Sequence, residues 1–217
     1  MPTAADVRRQ IIKVCRRLDI LRFTPGSAGN VSARAGAGVI YITPTGSVLG
    51  EVGASQLVRV TLDGSAPPSG KPSVELSVHA TFYRLRPDVG AVVHAHPPAC
   101  VGFALARRPF GKPTNLEIYA TMGIPQVVPF AAPGALSKAL EKAALKGDCF
   151  FLSGHGVMTV GPTVEKALHR MENLENFALA TLAAHSLGGA VPFTRAELDA
   201  IHGFMDSVGL PRPRSAN

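Results

Sequence analysis

The stretch that decides the fold reads Val92-Val93-His94-Ala95-His96-Pro97-Pro98. Its β-branched residues favour a strand, and side chains two positions apart leave the same face of a strand. His94 and His96 should therefore point in one direction. Because neutral imidazole is the commonest protein metal ligand, this pair could supply half of a zinc site. The alternative is a half-buried strand whose histidines are satisfied by hydrogen bonds. Pro97-Pro98 should end the strand and could begin a helix.

A third histidine follows another apolar run. His155 lies in Ser153-Gly154-His155-Gly156, directly after Cys149-Phe150-Phe151-Leu152. Catalytic zinc sites typically have three protein ligands and leave one position open for water or substrate. His94, His96 and His155 are therefore the candidate metal ligands.

Length and composition predict a single domain. With 217 residues, of which 46% are hydrophobic, the chain can bury one sizeable core, so we expect one domain over residues 1–217. Its apolar stretches are too short for a membrane span, and its start lacks the pattern of a secretory signal. The three cysteines are odd in number and far apart, which does not predict a disulfide framework. These features favour a cytoplasmic protein.

The net charge of +7 is compatible with two kinds of anionic partner, nucleic acid or a small substrate. The basic residues form short clusters rather than one long stripe, and tryptophan is absent, so a platform for stacked bases is not indicated. We therefore expect a small anionic substrate, with neither nucleic acid nor membrane as partner.

Hydrophobic periodicity and turn residues predict a mixed α/β order. Ser73 is expected to cap the second helix, and Leu182 is expected to face inward on the long late helix. Hairpins together with interposed helices predict a mixed sheet that is covered on both faces. The predicted helices cover 4–19, 74–85, 136–145, 165–185 and 195–208, and the predicted strands cover 31–34, 39–42, 57–62, 92–96, 125–130, 149–152 and 157–160.

Five motifs, in this order along the chain, resemble one family. They are Gly26-Ser27-Ala28-Gly29-Asn30-Val31-Ser32, Ile42-Thr43-Pro44-Thr45-Gly46, Lys71-Pro72-Ser73-Val74-Glu75-Leu76, Val93-His94-Ala95-His96-Pro97-Pro98 and Gly154-His155-Gly156-Val157. Together they resemble the class II aldolase family of fuculose-phosphate aldolase and ribulose-phosphate 4-epimerase. The resemblance runs from the first helix to the last.

The resemblance implies an α/β/α three-layer sandwich around a largely antiparallel central sheet. It implies homotetramers with active sites near subunit interfaces, and zinc, or manganese or another divalent ion, held by His94, His96 and His155. Glu75 would shuttle a proton and could also ligate the metal when substrate is absent. By itself, a glutamate at a helix start is usually only a favourable charge at the helix dipole. The implied phosphate-binding positions are Ser27, Asn30, Thr45, Gly46 and Ser73.

Two positions depart from the pattern of the sugar-phosphate enzymes. Val74 replaces a second serine, which removes a hydroxyl donor from the phosphate cradle. The tyrosine that serves fuculose-phosphate aldolases as an acid aligns with Glu117, and Tyr119 lies two residues further on. Either residue is therefore a candidate for the catalytic acid.

These features predict a metal-dependent carbon–carbon lyase that cleaves a small anion through a metal-stabilised enolate, as in the retro-aldol reaction of a phosphorylated hydroxy-ketone. One alternative is a decarboxylase of a hydroxylated aromatic or pyridine dicarboxylate on the same fold. Another is a non-catalytic interaction domain similar to the adducin head, which has lost the metal ligands. Because all three histidines and Glu75 are retained here, the sequence favours an enzyme. His79, four residues after Glu75, is expected to make a structural hydrogen bond.

Overall fold

The computed structural model describes residues 3–36, 38–109, 111–132 and 134–214. Within them, a 3-10 turn covers Leu49–Glu51. The helices are α1 (Ala4–Ile20), α2 (Leu76–Leu85), α3 (Pro98–Ala106), α4 (Leu116–Met122), α5 (Leu136–Ala144), α6 (Val164–Ser186) and α7 (Arg195–Ser207). The strands are β1 (Asn30–Arg34), β2 (Val39–Ile42), β3 (Val58–Thr61), β4 (Ala91–Ala95), β5 (Gln126–Val128), β6 (Cys149–Leu152) and β7 (Val157–Gly161).

The strands form one sheet in the order β3-β2-β1-β4-β7-β6-β5. Every neighbouring pair is antiparallel except β5 and β6, which run parallel. Strands β1 and β2 form an antiparallel pair, and so do β6 and β7, in keeping with the hairpins that the sequence predicts. The expectation of a largely antiparallel central sheet is confirmed.

Alternation along β4 divides the core into two layers. Ala91, Val93 and Ala95 belong to the apolar cluster on the face covered by α1, α3 and α6. Val92 belongs to the cluster on the opposite face, which α2 and α5 cover. Since side chains two apart share a face, His94 lies on the same side as Val92. The three-layer α/β/α sandwich is therefore confirmed, and the candidate ligand His94 lies on its α2 side.

Local capping chemistry sets two of the helix starts as expected. Thr3 with Asp6 and Thr194 with Glu197 form reciprocal capping boxes at the starts of α1 and α7. In each box the side chains satisfy backbone N–H groups that have no partner within the helix. Both starts are thus encoded by neighbouring residues.

Three expectations need correction. The N-cap of α2 is Glu75 rather than Ser73, because the residues between them form a turn in which the Leu76 N–H donates to the Ser73 carbonyl at 3.0 Å. Leu182 is 52% exposed, since the buried stripe of α6 ends at Ala178. Helix α4 had no predicted counterpart, because seven residues are too few to show a clear helical period.

None of the described helices combines the length and the apolar character that a membrane span requires.

Candidate active site

Three histidines converge at the end of the two central strands. His94 lies near the end of β4, His96 follows that strand, and His155 lies in the turn between β6 and β7. The Nε2 atoms of His94 and His96 are 3.1 Å apart, and one ring nitrogen from each of the three histidines lies within 4.8 Å of the others. The structure therefore brings together the three candidate ligands.

The backbone holds these histidines from two directions. The His96 N–H donates to the Phe23 carbonyl at 2.7 Å, which anchors the end of β4 to the loop after α1. In the β4–β7 ladder, Ala95 pairs with Val157. The turn that carries His155 ends directly before Val157, so strand pairing places His155 beside the other two histidines.

Two glycines permit this close approach. A Cβ atom at Gly156 would lie 2.9 Å from the Ala95 carbonyl oxygen and 3.2 Å from the Cε1 atoms of both His94 and His96. A Cβ atom at Gly29, which has a φ of +82°, would lie 2.8 Å from the His94 carbonyl oxygen. Any larger residue at these positions would push the histidines out of place.

His94 presents an unprotonated nitrogen to the histidine cluster. Its Nδ1 lies 2.9 Å from the Val157 carbonyl oxygen. Because a carbonyl only accepts, Nδ1 carries the proton and the Nε2 lone pair faces the cluster. Burial lowers the pKa of His94 and lowers that of His96 to about 4, so both rings are neutral near pH 7. Together with His155 they form a set of imidazole donors that fits a divalent cation.

Glu75 faces the histidine cluster from the start of α2. Its Oε2 accepts from Asn30 Nδ2 at 2.7 Å and lies 3.3 Å from His94 Nε2, and its Oε1 lies 3.8 Å from His155 Nδ1. Burial raises the pKa of this carboxyl, but His94 and the Asn30 amide lower it by more, so it stays below its ordinary value. The site therefore holds an ionised carboxylate next to the three imidazoles.

The cluster forms the floor of a cavity of about 600 Å³. Among the described residues that line this cavity there is no lysine or arginine. One part of its wall is apolar and includes Val74, Val78, Phe130 and Leu136. The polar part contains the nine residues that the family motifs assign to metal binding, proton transfer and phosphate binding, namely Ser27, Asn30, Thr45, Gly46, Ser73, Glu75, His94, His96 and His155.

Hydrogen bonds between loops build the polar wall. The Thr45 N–H donates to the Lys71 carbonyl at 3.2 Å, and the Ser73 N–H donates to the Thr43 carbonyl at 3.1 Å. The Thr43 hydroxyl accepts from the Val31 N–H at 3.2 Å. Three of the sequence motifs are thereby fixed to one another beside the sheet.

The two candidate acids lie elsewhere on the chain. Tyr119 is buried, and its hydroxyl lies 2.8 Å from His202 Nε2. Glu117 is exposed in the first turn of α4. Neither is among the described residues that line the cavity of their own chain.

The expectation for His79 is confirmed. Its ring is fully buried, with Nε2 at 2.5 Å from Asn30 Oδ1 and Nδ1 at 2.7 Å from Ser32 Oγ. Its partner Asn30 contacts Glu75, so this structural hydrogen bond lies directly behind the site. His169 and His185, both on α6, are exposed.

Sequence reasoning missed one supporting residue, Glu175. Its carboxylate is buried and accepts from the Ala99 and Cys100 N–H groups, each at 2.9 Å. A carboxylate on α6 thus caps the start of α3, the helix that follows His96. Pro98 marked that helix start, but no local pattern could reveal an acceptor so distant in sequence.

The fold and the site together define an α/β sandwich protein with a three-histidine cluster that could hold a metal ion beside an ionised glutamate. The sequence pattern described as "Class II Aldolase and Adducin N-terminal domain" matches residues 9–182. The chain therefore belongs to the class II aldolase family.

Individual relatives carry two kinds of activity in their names. An L-fuculose phosphate aldolase of Methanococcus vannielii is 33% identical over 175 residues, which cover 78% of this chain and 92% of the relative. A 3-oxo-tetronate 4-phosphate decarboxylase of Pectobacterium atrosepticum is 33% identical over 177 residues, 79% of this chain and 81% of the relative. The solved structure of an L-fuculose 1-phosphate aldolase is 25% identical in sequence and superposes with a TM-score of 0.84. The matched residues cover 93% of this chain and 96% of that aldolase. Aldolases and decarboxylases both break carbon–carbon bonds, so the relatives indicate a lyase.

Proposed function

We propose that this protein is a divalent-metal-dependent carbon–carbon lyase that performs the retro-aldol cleavage of a small phosphorylated hydroxy-ketone. The observation that carries the proposal is the convergence of three imidazoles and an ionised carboxylate in the lining of one cavity. We further propose that residues 1–217 form a single domain.

His94, His96 and His155 would hold the cation, either Zn²⁺ or Mn²⁺ or another divalent ion. When bound, such a cation supplies Lewis-acid polarisation of substrate oxygens. The Nδ1–H group of His94 donates to the Val157 carbonyl, which fixes the tautomer and the orientation of that ring. The protein thereby presents a rigid set of nitrogen ligands.

Glu75 would move the proton. Its carboxylate is ionised in the resting site, so it can accept a proton from a substrate hydroxyl and return it to carbon later in the cycle. The Asn30 amide, 2.7 Å away, keeps one carboxylate oxygen oriented during this exchange.

The polar wall would bind the substrate anion. Ser27, Asn30, Thr45 and Ser73 offer neutral donors, and Gly46 lets the backbone approach closely because its φ is +69°. Backbone N–H groups in such turns form concave anion sites. A cradle without lysine or arginine can bind phosphate or carboxylate, and it relies on the cation for charge compensation.

A decarboxylase is the second candidate, because the same residues serve both reactions. The two reactions differ in whether an aldehyde or carbon dioxide leaves. Val74 supports the form of this alternative in which the substrate carries carboxylates and no phosphate, since Val74 is 85% exposed and lines the cavity where a phosphate would gain from a hydroxyl donor. The decarboxylase relative is named for a phosphorylated oxo-acid. That name favours an oxo-acid phosphate over an aromatic or pyridine dicarboxylate as the decarboxylase substrate.

We also propose a cytoplasmic homotetramer with active sites near subunit interfaces. Large apolar side chains on α6, α7 and the segment between them are more than half exposed in the single chain, among them Leu182, Leu187 and Phe204. Such a surface is typical of interaction sites. Light scattering at micromolar concentration should give four times the 22.7 kDa chain mass, and a fully active monomer would contradict the proposal.

The decisive experiment loads the protein with Zn²⁺ or Mn²⁺ and supplies ketose 1-phosphates, oxo-acid phosphates and hydroxylated aromatic dicarboxylates in parallel. Release of aldehyde and of carbon dioxide is followed in every reaction. We expect aldehyde from a ketose 1-phosphate and no release without metal. Carbon dioxide from an acid, with no aldehyde from any ketose phosphate, would select the decarboxylase. Failure of every substrate with fully metal-loaded protein would support the non-catalytic, adducin-like alternative.

A further inference from the structure

A buried chain of hydrogen bonds leads from Glu75 into the core. Glu75 Oε2 is 2.7 Å from Asn30 Nδ2, and Asn30 Oδ1 is 2.5 Å from His79 Nε2. His79 Nδ1 is 2.7 Å from Ser32 Oγ, which is 2.7 Å from the Tyr83 hydroxyl. Asn30, Ser32, His79 and Tyr83 are all at most 6% exposed. The five residues come from β1 and from both ends of α2, so the chain spans the interface between sheet and helix.

The donor and acceptor chemistry of each group gives all of these hydrogen bonds one common direction. An ionised carboxylate only accepts, so Asn30 must turn its NH₂ group toward Glu75 and its carbonyl toward His79. That carbonyl also only accepts, so His79 must carry its proton on Nε2. A neutral His79 then has an unprotonated Nδ1, which must accept from the Ser32 hydroxyl. Ser32 Oγ in turn can accept from the Tyr83 hydroxyl.

The surroundings of His79 keep its ring neutral, as this direction requires. Burial lowers the pKa of His79 to about 3, although the Glu75 charge opposes that shift. At the far end, the Arg34 guanidinium lies 4.8 Å from the centre of the Tyr83 ring and donates to the Tyr83 carbonyl at 2.6 Å. These contacts fix Tyr83, and the chain of hydrogen bonds ends at this residue in the core rather than in solvent.

We propose that His79 is a positioning residue for the lyase reaction: through its Nε2–H group it locks the Asn30 amide with the NH₂ group toward Glu75. This inference rests on the proposed function of Glu75 in proton transfer. Among the described residues, His79 does not line the cavity, and the hydrogen bonds of its ring go to Asn30 and Ser32, so the effect of the ring on Glu75 passes through Asn30.

The chain transmits orientation and does not conduct protons. An amide nitrogen does not readily release a proton and regain one from its carbonyl side, so Asn30 interrupts any relay between His79 and Glu75. The contribution of His79 is therefore pre-organisation of the proton-transfer group. Residues that orient the groups of a metal site typically change activity by about 10- to 100-fold when mutated.

The first arm of the test reads the tautomer directly. Protein with ¹⁵N-labelled histidine is examined by NMR at pH 7, both metal-free and zinc-loaded. The signals of His79 are assigned as those that are lost in the His79→Gln variant. We expect a protonated Nε2 and an unprotonated Nδ1 in both states. A protonated Nδ1, or an imidazolium ring, would overturn the proposed direction of the chain.

The second arm measures turnover in a matched set of variants. His79→Leu removes the donor to Asn30, while His79→Gln keeps an amide N–H that can reach Asn30 Oδ1. We expect His79→Leu to lower kcat by about 10- to 100-fold with metal content within about twofold, and His79→Gln to recover most of the loss. Thr159→Val is the control, because Thr159 is buried and donates only to the Ala167 carbonyl, at 2.7 Å.

The outcomes separate this inference from the proposed function. Full activity in His79→Leu, or equal losses in the Leu and Gln variants, would show that His79 does not act through its Nε2–H group. If His79→Leu does not fold, the Gln variant and the tautomer measurement still decide. A wild-type protein without lyase activity would refute the proposed function, and the NMR arm would then test the hydrogen-bond chain alone.

Discussion

Two clusters of ionisable side chains lie at opposite ends of strands β4 and β7. They differ in whether their charges are paired with opposite charges. The cluster at the start of β4 contains Arg86, Asp88, Asp148 and Arg170. The cluster at the other end contains the three histidines and Glu75. The antiparallel pairing of β4 with β7 places Ala91 opposite Gly161 at one end and Ala95 opposite Val157 at the other.

At the arginine end every charge has an opposite neighbour. Arg86 is 3% exposed, and its Nη2 lies 2.7 Å from carboxylate oxygens of both Asp88 and Asp148. Arg170 Nη2 lies 2.7 Å from the other oxygen of Asp148. A hydrogen bond from Arg86 holds the pKa of Asp88 at about 2. Such compensation fits a stabilising role, since a buried charge without a partner is strongly destabilising.

At the histidine end, nitrogen donors converge beside a cavity. The Nε2 atoms of His94 and His96 are 3.1 Å apart, the rings of these two histidines are neutral, and Glu75 is the nearby carboxylate. The difference teaches that paired charges stabilise one end of the sheet, whereas the other end presents a donor set that could hold a cation.

The largest effect is expected at the histidine end. His94→Ala should abolish stoichiometric metal binding and lower turnover by about 10³-fold or more, because Lewis-acid catalysis supplies several kcal/mol. Metal content by elemental analysis and turnover are the measurements, with circular dichroism to show that the fold is kept. A His94→Ala protein with a full complement of metal would refute the assignment.

Glu75→Gln separates proton transfer from metal binding. The amide keeps the shape of the side chain but cannot accept the proton, so kcat should fall by about 10²- to 10⁴-fold while the metal content stays unchanged. Steady-state kinetics on metal-loaded protein check this. Turnover near that of wild type would transfer the role to another group, with Glu117 and Tyr119 as the next candidates.

Asp148→Asn tests the arginine end. It removes the charge shared by Arg86 and Arg170, and the free energy of unfolding should fall by about 1.5–3 kcal/mol, the range for hydrogen bonds to charged groups. Activity per folded molecule should not change. The matched control is Glu141→Gln, whose pair with Arg84 is exposed and should contribute less than about 1 kcal/mol. Equal losses in urea unfolding would contradict the contrast between buried and exposed pairs.

The two ends should also respond to acid in different pH ranges. In the metal-free protein the pKa of His79 is lowered to about 3 and that of His96 to about 4, both below the ordinary 6.5. The unfolded chain therefore binds these protons first, and stability falls as the pH drops from 6.5, by up to about 1.4 kcal/mol per pH unit for each histidine. The pKa of Asp88 is lowered from 3.8 to about 2, so its contribution is present above pH 3.8 and is lost as the pH falls through 2.

Urea unfolding between pH 7 and pH 4.5 measures the first of these ranges. His79→Gln should flatten the slope there, whereas Asp88→Asn should leave it unchanged. A stability that stays constant over this interval would show that the buried histidines are not held neutral by the fold.

The smallest effect concerns the cavity wall. Val74→Ser restores a hydroxyl next to the proposed phosphate site, and the KM for a ketose 1-phosphate should fall by about tenfold with kcat unchanged, as expected for one hydrogen bond to a charged group. Val191→Ser is the control, because Val191 is 83% exposed and is absent from the cavity lining. A rise in KM would argue against a phosphate at this wall.

Much of this arrangement could be predicted because its signals are local. The period-2 pattern predicted that His94 and His96 point in one direction, and their Nε2 atoms are 3.1 Å apart. The capping boxes at Thr3 and Thr194 fixed two helix starts. The family motifs named nine residues that all line one cavity. Turn glycines can also be interpreted from the sequence. Gly46 marks left-handed backbone, which favours glycine, and Gly156 marks a place without room for a side chain.

Only the tertiary structure decided which partners these groups have. Ser32 and His79 are 47 residues apart, and Arg86 contacts the Gly147 carbonyl across 61 residues, yet both contacts are 2.7 Å long. No periodicity relates such positions, because packing a helix onto a sheet brings together side chains that share no sequence register. The sequence by itself therefore determined which chemical groups the site has, whereas the folded chain determined the direction of each hydrogen bond and which charges are compensated.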